Sequence, residues 1–92
     1  MAETDDQKIT VSDRSSLNRY EIRLDGKLAG MAEYQLGEGQ IAFTHTEVDP
    51  AFGGQGLGSR LVEFAVTDAR SRGLKINPVC PFVKKWIDEN PA

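Results

Sequence analysis

Val48-Asp-Pro-Ala-Phe-Gly-Gly-Gln-Gly-Leu-Gly-Ser-Arg-Leu-Val62 is the stretch on which the reading of this 92-residue chain turns. It joins two segments of different hydrophobic period. Gln40 to Val48 reads as a strand. From Leu57 onward, Leu57, Leu61, Val62, Phe64, Ala65, Val66 and Ala69 fall on one broad arc at helical spacing, with Ser59, Arg60, Glu63, Thr67, Arg70 and Ser71 opposite. At the junction stand four glycines among the six residues Gly53, Gly54, Gln55, Gly56, Leu57 and Gly58. Glycine takes positive φ freely and presents no Cβ to an approaching ligand. The helix that follows offers unpaired N–H groups and the positive end of its dipole, so the junction has the makings of an anion site that needs no lysine. The same composition also fits a tight corner that binds nothing. Two nucleotide motifs are excluded. Ser59 and Leu61 stand where a dinucleotide fingerprint needs its third glycine, and no Gly-Lys-Ser/Thr ending marks a P-loop.

Upstream of that stretch the pattern is that of strands. Ile9 and Val11 flank Thr10 in a short run ended by the polar cluster from Ser12 to Ser16. Arg19 to Leu24 then alternates, with Tyr20, Ile22 and Leu24 on one face and Arg19, Glu21 and Arg23 on the other. Asp25-Gly26 is a pair that favours a tight hairpin, because both central positions of that turn need positive φ. The next strand runs from about Lys27 to Leu36, Gly37-Glu-Gly39 turns the chain, and Gln40 to Val48 completes a meander.

Downstream, Gly73 stops the long helix with Arg70 and Arg72 in its last turn. Leu74 to Val79 reads as a strand, and a short helix starts at Pro81 with Phe82, Val83, Trp86 and Ile87 directed inward. The order β-β-β-β-α-β-α predicts an α/β (α+β) domain with a mainly antiparallel sheet. Its strand–helix–strand passage puts one pair parallel through a right-handed crossover, with the sheet split near Val48.

Composition narrows the function classes. Apolar residues make up 39% of the chain and charged residues 27%, as in a soluble globular domain. The net charge is −3 and no dense Lys/Arg cluster is interleaved with aromatics, which argues against a nucleic-acid partner. No apolar run approaches the roughly 20 residues that span a bilayer, so no membrane role is expected. Residues 1–7 read as a frayed tail before a domain over 8–92. The acidic start lacks the regions of a signal peptide, so a cytoplasmic location is expected. One cysteine and one histidine leave no internal disulfide and no metal site in view.

The quoted stretch resembles the acetyl-CoA-binding motif of the GNAT acetyltransferase superfamily. In that family a strand ends in an acidic or proline-containing turn, followed by Arg/Gln-x-x-Gly-x-Gly/Ala and a helix. Gly56 and Gly58 match the two small positions; Gly53 departs from the Arg or Gln usual there. The element order agrees over roughly residues 8 to 90. The chain is similar to a very short cysteine-containing branch, which carries His-Thr-Glu-Val before the turn and Cys-Pro/Ser-Phe/Tyr-Val before the last helix. Here these are His45-Thr-Glu-Val48 and Cys80-Pro-Phe-Val83.

The resemblance implies a minimal N-acetyltransferase using acetyl-CoA (CoA as product) and an amine acceptor, such as a protein lysine or N-terminus. Pantetheine would pair with the backbone edge from Thr46 to Val48. The pyrophosphate would lie on Gly53, Gly54, Gln55, Gly56, Leu57, Gly58 and Ser59, with Arg60 one turn further on.

Three residues are candidates for the chemistry. Cys80 precedes a helix N-terminus, which favours thiolate over thiol, although free cysteines are more often buried small hydrophobes. His45 and Glu47 share the parity of Ile41 and Phe43, so strict alternation would turn both toward the core and a bulge would re-aim them. Either could serve as general base. The tyrosine that many GNAT enzymes place on the last helix is absent, with Phe82 and Trp86 at the nearby positions. That absence favours a cysteine-assisted route, and it also motivates the alternative of a non-catalytic CoA-binding sensor or interaction module.

Overall fold

The computed structural model describes residues 8–91; the tail expected at residues 1–7 lies outside them. Five strands form one sheet in the order β1-β2-β3-β4-β5: Ile9–Arg14, Arg19–Leu24, Lys27–Gly37, Gln40–Val48 and Lys75–Pro78. The first four pair antiparallel in succession, and β5 joins β4 in parallel, as the crossover reading requires. Helix α1 spans Leu57–Ser71 and α2 spans Pro81–Glu89. No described helix is long and apolar enough to cross a membrane.

The turns follow the local chemistry. Asp25 and Gly26 both sit at positive φ, at 52° and 84°, so the β2–β3 connection is the tight hairpin that the pair favours. A 3-10 turn at Ser15–Leu17 links β1 to β2 and closes on Asn18 at φ 54°. Strand β1 runs on to Arg14, past the expected stop at Ser12, because Ser12 pairs with Glu21 and Asp13 with Tyr20.

The core lies between one sheet face and α1. Tyr20, Ile22 and Leu24 are buried there with Ile41, Phe43, Leu61, Val62, Ala65 and Val66. Two expected core residues are corrected: Phe64 and Phe82 are exposed. Phe64 lies at the rim of its arc, with its ring edge-on to Tyr20 at 6.0 Å between centroids. Val83 alone of the α2 positions is fully buried, while Trp86 and Ile87 pack partly covered against the cluster.

Two polar assemblies brace this core. Tyr20 donates to Asp68 and Tyr34 to Asp13, both at 2.6 Å, and Arg72 lies 3.3 Å from Asp68 and 3.6 Å from Asp13. That set ties α1 to the first three strands. On the opposite sheet face, with Arg19 and Arg23 as the alternation predicts, Glu21 is only 1% exposed. The guanidinium groups of Arg19, Arg23 and Arg14 enclose it at 2.7, 3.0 and 3.5 Å. Burial alone would raise its carboxyl pKa, but hydrogen bonds from Arg19 and Arg23 outweigh that and hold it below the usual carboxylate range.

Candidate functional site

The pairing of β4 with β5 runs from Gln40–Lys75 to Phe43–Pro78 and then stops. A last backbone bond, from the N–H of Cys80 to the carbonyl of Phe43 at 2.8 Å, closes the parallel pair. The sheet therefore splits just after Phe43, earlier along β4 than the expected opening near Val48. The cause lies on the other edge of β4. Tyr34 pairs with Phe43 and Glu33 with His45, so Thr44 is an extra residue, a bulge that shifts the alternation by one.

That shift re-aims the candidate residues. His45 and Glu47 leave the core parity and stand exposed on the open sheet face, their side chains 55% and 66% accessible, with His45 Nε2 3.5 Å from Glu47 Oε1. Thr46 and Val48 take the inward direction instead. Thr46 Oγ1 lies 3.5 Å from the sulfur of Cys80, across the mouth of the split.

Cys80 is buried and stands at the N-cap of α2, with Pro81 occupying the first helical position. Burial by itself would raise its thiol pKa. The hydrogen bond with the Thr46 side chain and the backbone N–H groups of Val83, Phe82 and Thr46 act against it, and the net shift is below the ordinary thiol. The backbone of Thr46 is thus aimed into the split, as is its hydroxyl. The histidine–carboxylate pair is on one side of β4 and the thiol on the other.

The glycine turn begins where Asp49 Oδ1 accepts from the N–H of Ala51 at 2.9 Å and starts a 3-10 turn at Pro50–Phe52. Only two of its glycines need positive φ: Gly54 at 79° and Gly56 at 71°. No heavy atom lies within 4 Å of where a Cβ would stand at either. Gly56 is the N-cap of α1 and supplies no side-chain cap, so the first N–H groups of the helix face outward without a partner from that position.

Gly53 and Gly58 differ from these two. Gly53 is extended at φ −65°, a value open to any residue. At Gly58 a Cβ would meet Phe82 Cζ at 2.9 Å and Val48 Cγ2 at 3.4 Å, so this glycine lets α1 close onto α2 and the end of β4. Leu57 is buried beneath the turn, whereas Gln55, Ser59 and Arg60 are exposed.

Sequence reasoning missed two site features. Thr46 was expected as backbone edge alone, yet its hydroxyl is a partner of Cys80; the bulge that aims it leaves no residue-type signal at Thr44. Phe82 is expected in the core, but it is exposed and its ring lies against Gly58 at the end of the glycine turn. Both tyrosines of the chain are engaged in the core, burial and hydrogen bonding to aspartate raising their pKa values, that of Tyr34 to about 12. Neither faces the split as a proton donor. On the exposed side of α2, Lys84 pairs with Asp88 at 2.9 Å.

Comparison with known proteins places this arrangement. Residues 19–92 match the family described as GCN5-related N-acetyl-transferase. Protein NATD1 of Xenopus tropicalis is 30% identical over 76 residues, spanning 79% of this chain and 69% of that protein. Protein NATD1 of Homo sapiens is 29% identical over 76 residues, with 79% and 66% covered. Among solved structures, a GCN5-like protein from Staphylococcus aureus superposes with a TM-score of 0.63 at 26% identity, covering 94% of this chain and 82% of that one. The ribosomal-protein-alanine N-acetyltransferase of Brucella melitensis shares the fold at TM-score 0.58 and 22% identity, with 80% and 60% covered.

Proposed function

This chain belongs to the GCN5-related N-acetyltransferase family, and from that premise we propose that it binds acetyl-CoA across the split between β4 and β5 and transfers the acetyl group to an amine. The observation that carries the reading is the convergence of two features on one opening. The uncapped start of α1, with open space above Gly54 and Gly56, lies on one side. The Cys80–Thr46 pair lies on the other. Val48 and Phe82 join them, since both touch the position of a Gly58 Cβ.

The residues present fit the coenzyme. A diphosphate needs several N–H donors and room for its oxygens, and the Gly54–Ser59 backbone offers both. The edge from Thr46 to Val48 runs past Cys80 and can pair with an extended amide chain. Arg60 stands exposed one turn into α1. Acetyl-CoA supplies a thioester, an acyl donor that a thiolate can attack without a metal or a redox partner.

Cys80 is the nucleophile in this proposal. Its thiolate is stabilised by Thr46 and the α2 amides, and thiol–thioester exchange replaces one acyl C–S bond by another. His45 and Glu47, within 3.5 Å of each other, hold the proton that the acceptor ammonium must lose before it can act as a nucleophile.

Intact-mass measurement after incubation with acetyl-CoA tests this. One acetyl group on the wild type, none on Cys80→Ala, and release of CoA on adding an amine are the expected results. Equal turnover of wild type and Cys80→Ala with a true acceptor would remove Cys80 from the nucleophilic role. CoA binding with neither adduct nor release would favour the non-catalytic sensor.

A further inference from the structure

The sheet face turned away from α1 sorts its charges by strand. On the β1–β2 half, Arg14, Arg19 and Arg23 share the single carboxylate of Glu21 at 3.5, 2.7 and 3.0 Å, so two positive charges are left over. Arg14 holds that carboxylate at the longest distance, and its side chain is 47% exposed. On the β3–β4 half stand Glu33 and Glu47, with Asp49 just beyond β4. Cross-strand register sets the two signs in one row: Arg14 opposite Arg19, Arg19 opposite Glu33, and Glu33 opposite His45. The next row places Met31 between Glu21 and Glu47, and Leu28, opposite Arg23, is exposed. The face is thus basic along one side and acidic along the other, with a short apolar seam at Leu28 and Met31 between them.

A face of that kind is complementary to itself. A two-fold axis along the strands, between β2 and β3, lays β1 and β2 of one copy over β4 and β3 of the other, so each basic half meets an acidic half. An axis across the strands would instead set arginines on arginines. A foreign acidic segment would neutralise the arginines but leave Glu33, Glu47 and the apolar seam unmatched, and a foreign basic segment would do the reverse. We infer that this face is the interface of a dimer of two copies of this chain, with Leu28 and Met31 at its centre and Arg14 of each copy between Glu33 and Glu47 of the other. Four strands about 4.8 Å apart and six residues at about 3.4 Å each span a patch about 20 Å square. That is the scale of a weak, exchanging contact rather than an obligate one. The dimer covers His45 and Glu47. The association stands apart from the acetyltransferase reading; joined to it, it means that the copies separate before an acceptor reaches that pair.

Sedimentation velocity over a range of protein concentrations, with charge-swapped variants, tests this. The wild type is expected to pass from monomer to dimer, at higher concentration as salt rises. Arg14→Glu and Glu33→Lys should each weaken self-association about tenfold or more. An equimolar mixture of the two should dimerise better than either alone, because the mixed pair restores both contacts; a variant that merely failed to fold could not give that rescue. His45 is the chain's single histidine, so its carbethoxylation by diethyl pyrocarbonate reports which face is covered, and the rate should fall as dimer forms. A monomer up to about 1 mM protein, a dissociation constant too weak to matter, overturns the proposal and leaves the face to another molecule. A dimer in which His45 reacts as fast as in the monomer overturns it too, as does a mixture that dimerises no better than its components. Calorimetric titration of acetyl-CoA reads the acetyltransferase proposal separately, so the two can fail independently.

Discussion

Cys80 combines two properties that usually exclude each other: it is buried, and its thiol is acidified. Burial disfavours a thiolate unless donors are aimed at it, and here they come from Thr46 and the first turn of α2. Removing the side-chain donor should reverse part of the shift. Titration of the thiolate by ultraviolet absorbance is expected to give a wild-type midpoint below the ordinary value of about 8.5, and Thr46→Val should move it upward. The matching linkage has a definite sign. Because the folded pKa is the lower one, the thiolate's contribution to stability is present above the unfolded pKa and is lost as pH falls through the folded pKa. An unchanged midpoint in Thr46→Val would mean that the backbone amides alone tune the sulfur.

Strand β4 sets where the site opens and which side chains face it. The bulge at Thr44 sends His45 and Glu47 to the open face and Thr46 and Val48 inward, and the adjoining strand β3 is shaped to follow. At Gly30 a Cβ would stand 2.8 Å from the carbonyl oxygen of Glu47 and 3.3 Å from methyl groups of Ile22 and Val48. The nearest of these is backbone and cannot rotate aside. Gly30→Ala is expected to destabilise the fold by about 1–3 kcal/mol in urea denaturation. An unaltered midpoint would show that β3 and β4 separate easily there.

The strands and helices themselves were legible in the sequence, because alternation at Tyr20, Ile22 and Leu24 and the arc from Leu57 to Ala69 each describe one buried face. The bulge was not, since it depends on pairing with β3, and a single strand's pattern cannot record its partner's register. The burial of Glu21 was hidden for a related reason: three arginines cover it, and they come from two different strands.

At the scale of the molecule, the fold needs little more than one covered sheet face to bring together an uncapped helix start, a divergent strand pair and a cysteine at a second helix. The glycine turn was readable from composition and spacing, but the division of labour within it was not: Gly54 and Gly56 carry the positive φ, and Gly58 the close packing. The central claim, that a coenzyme diphosphate sits on this turn, is tested most directly at Gly56. Its positive φ would strain most residues, though Asp and Asn tolerate it comparatively well, and the space at its Cβ position is open. Gly56→Asp and Gly56→Asn therefore carry similar strain and bulk but differ in charge. Calorimetric titration with acetyl-CoA is expected to show binding to the wild type, weaker binding to Gly56→Asn, and the weakest to Gly56→Asp, with the gap between the two variants shrinking as salt rises. Equal binding by all three folded proteins, or none by the wild type, would contradict the account.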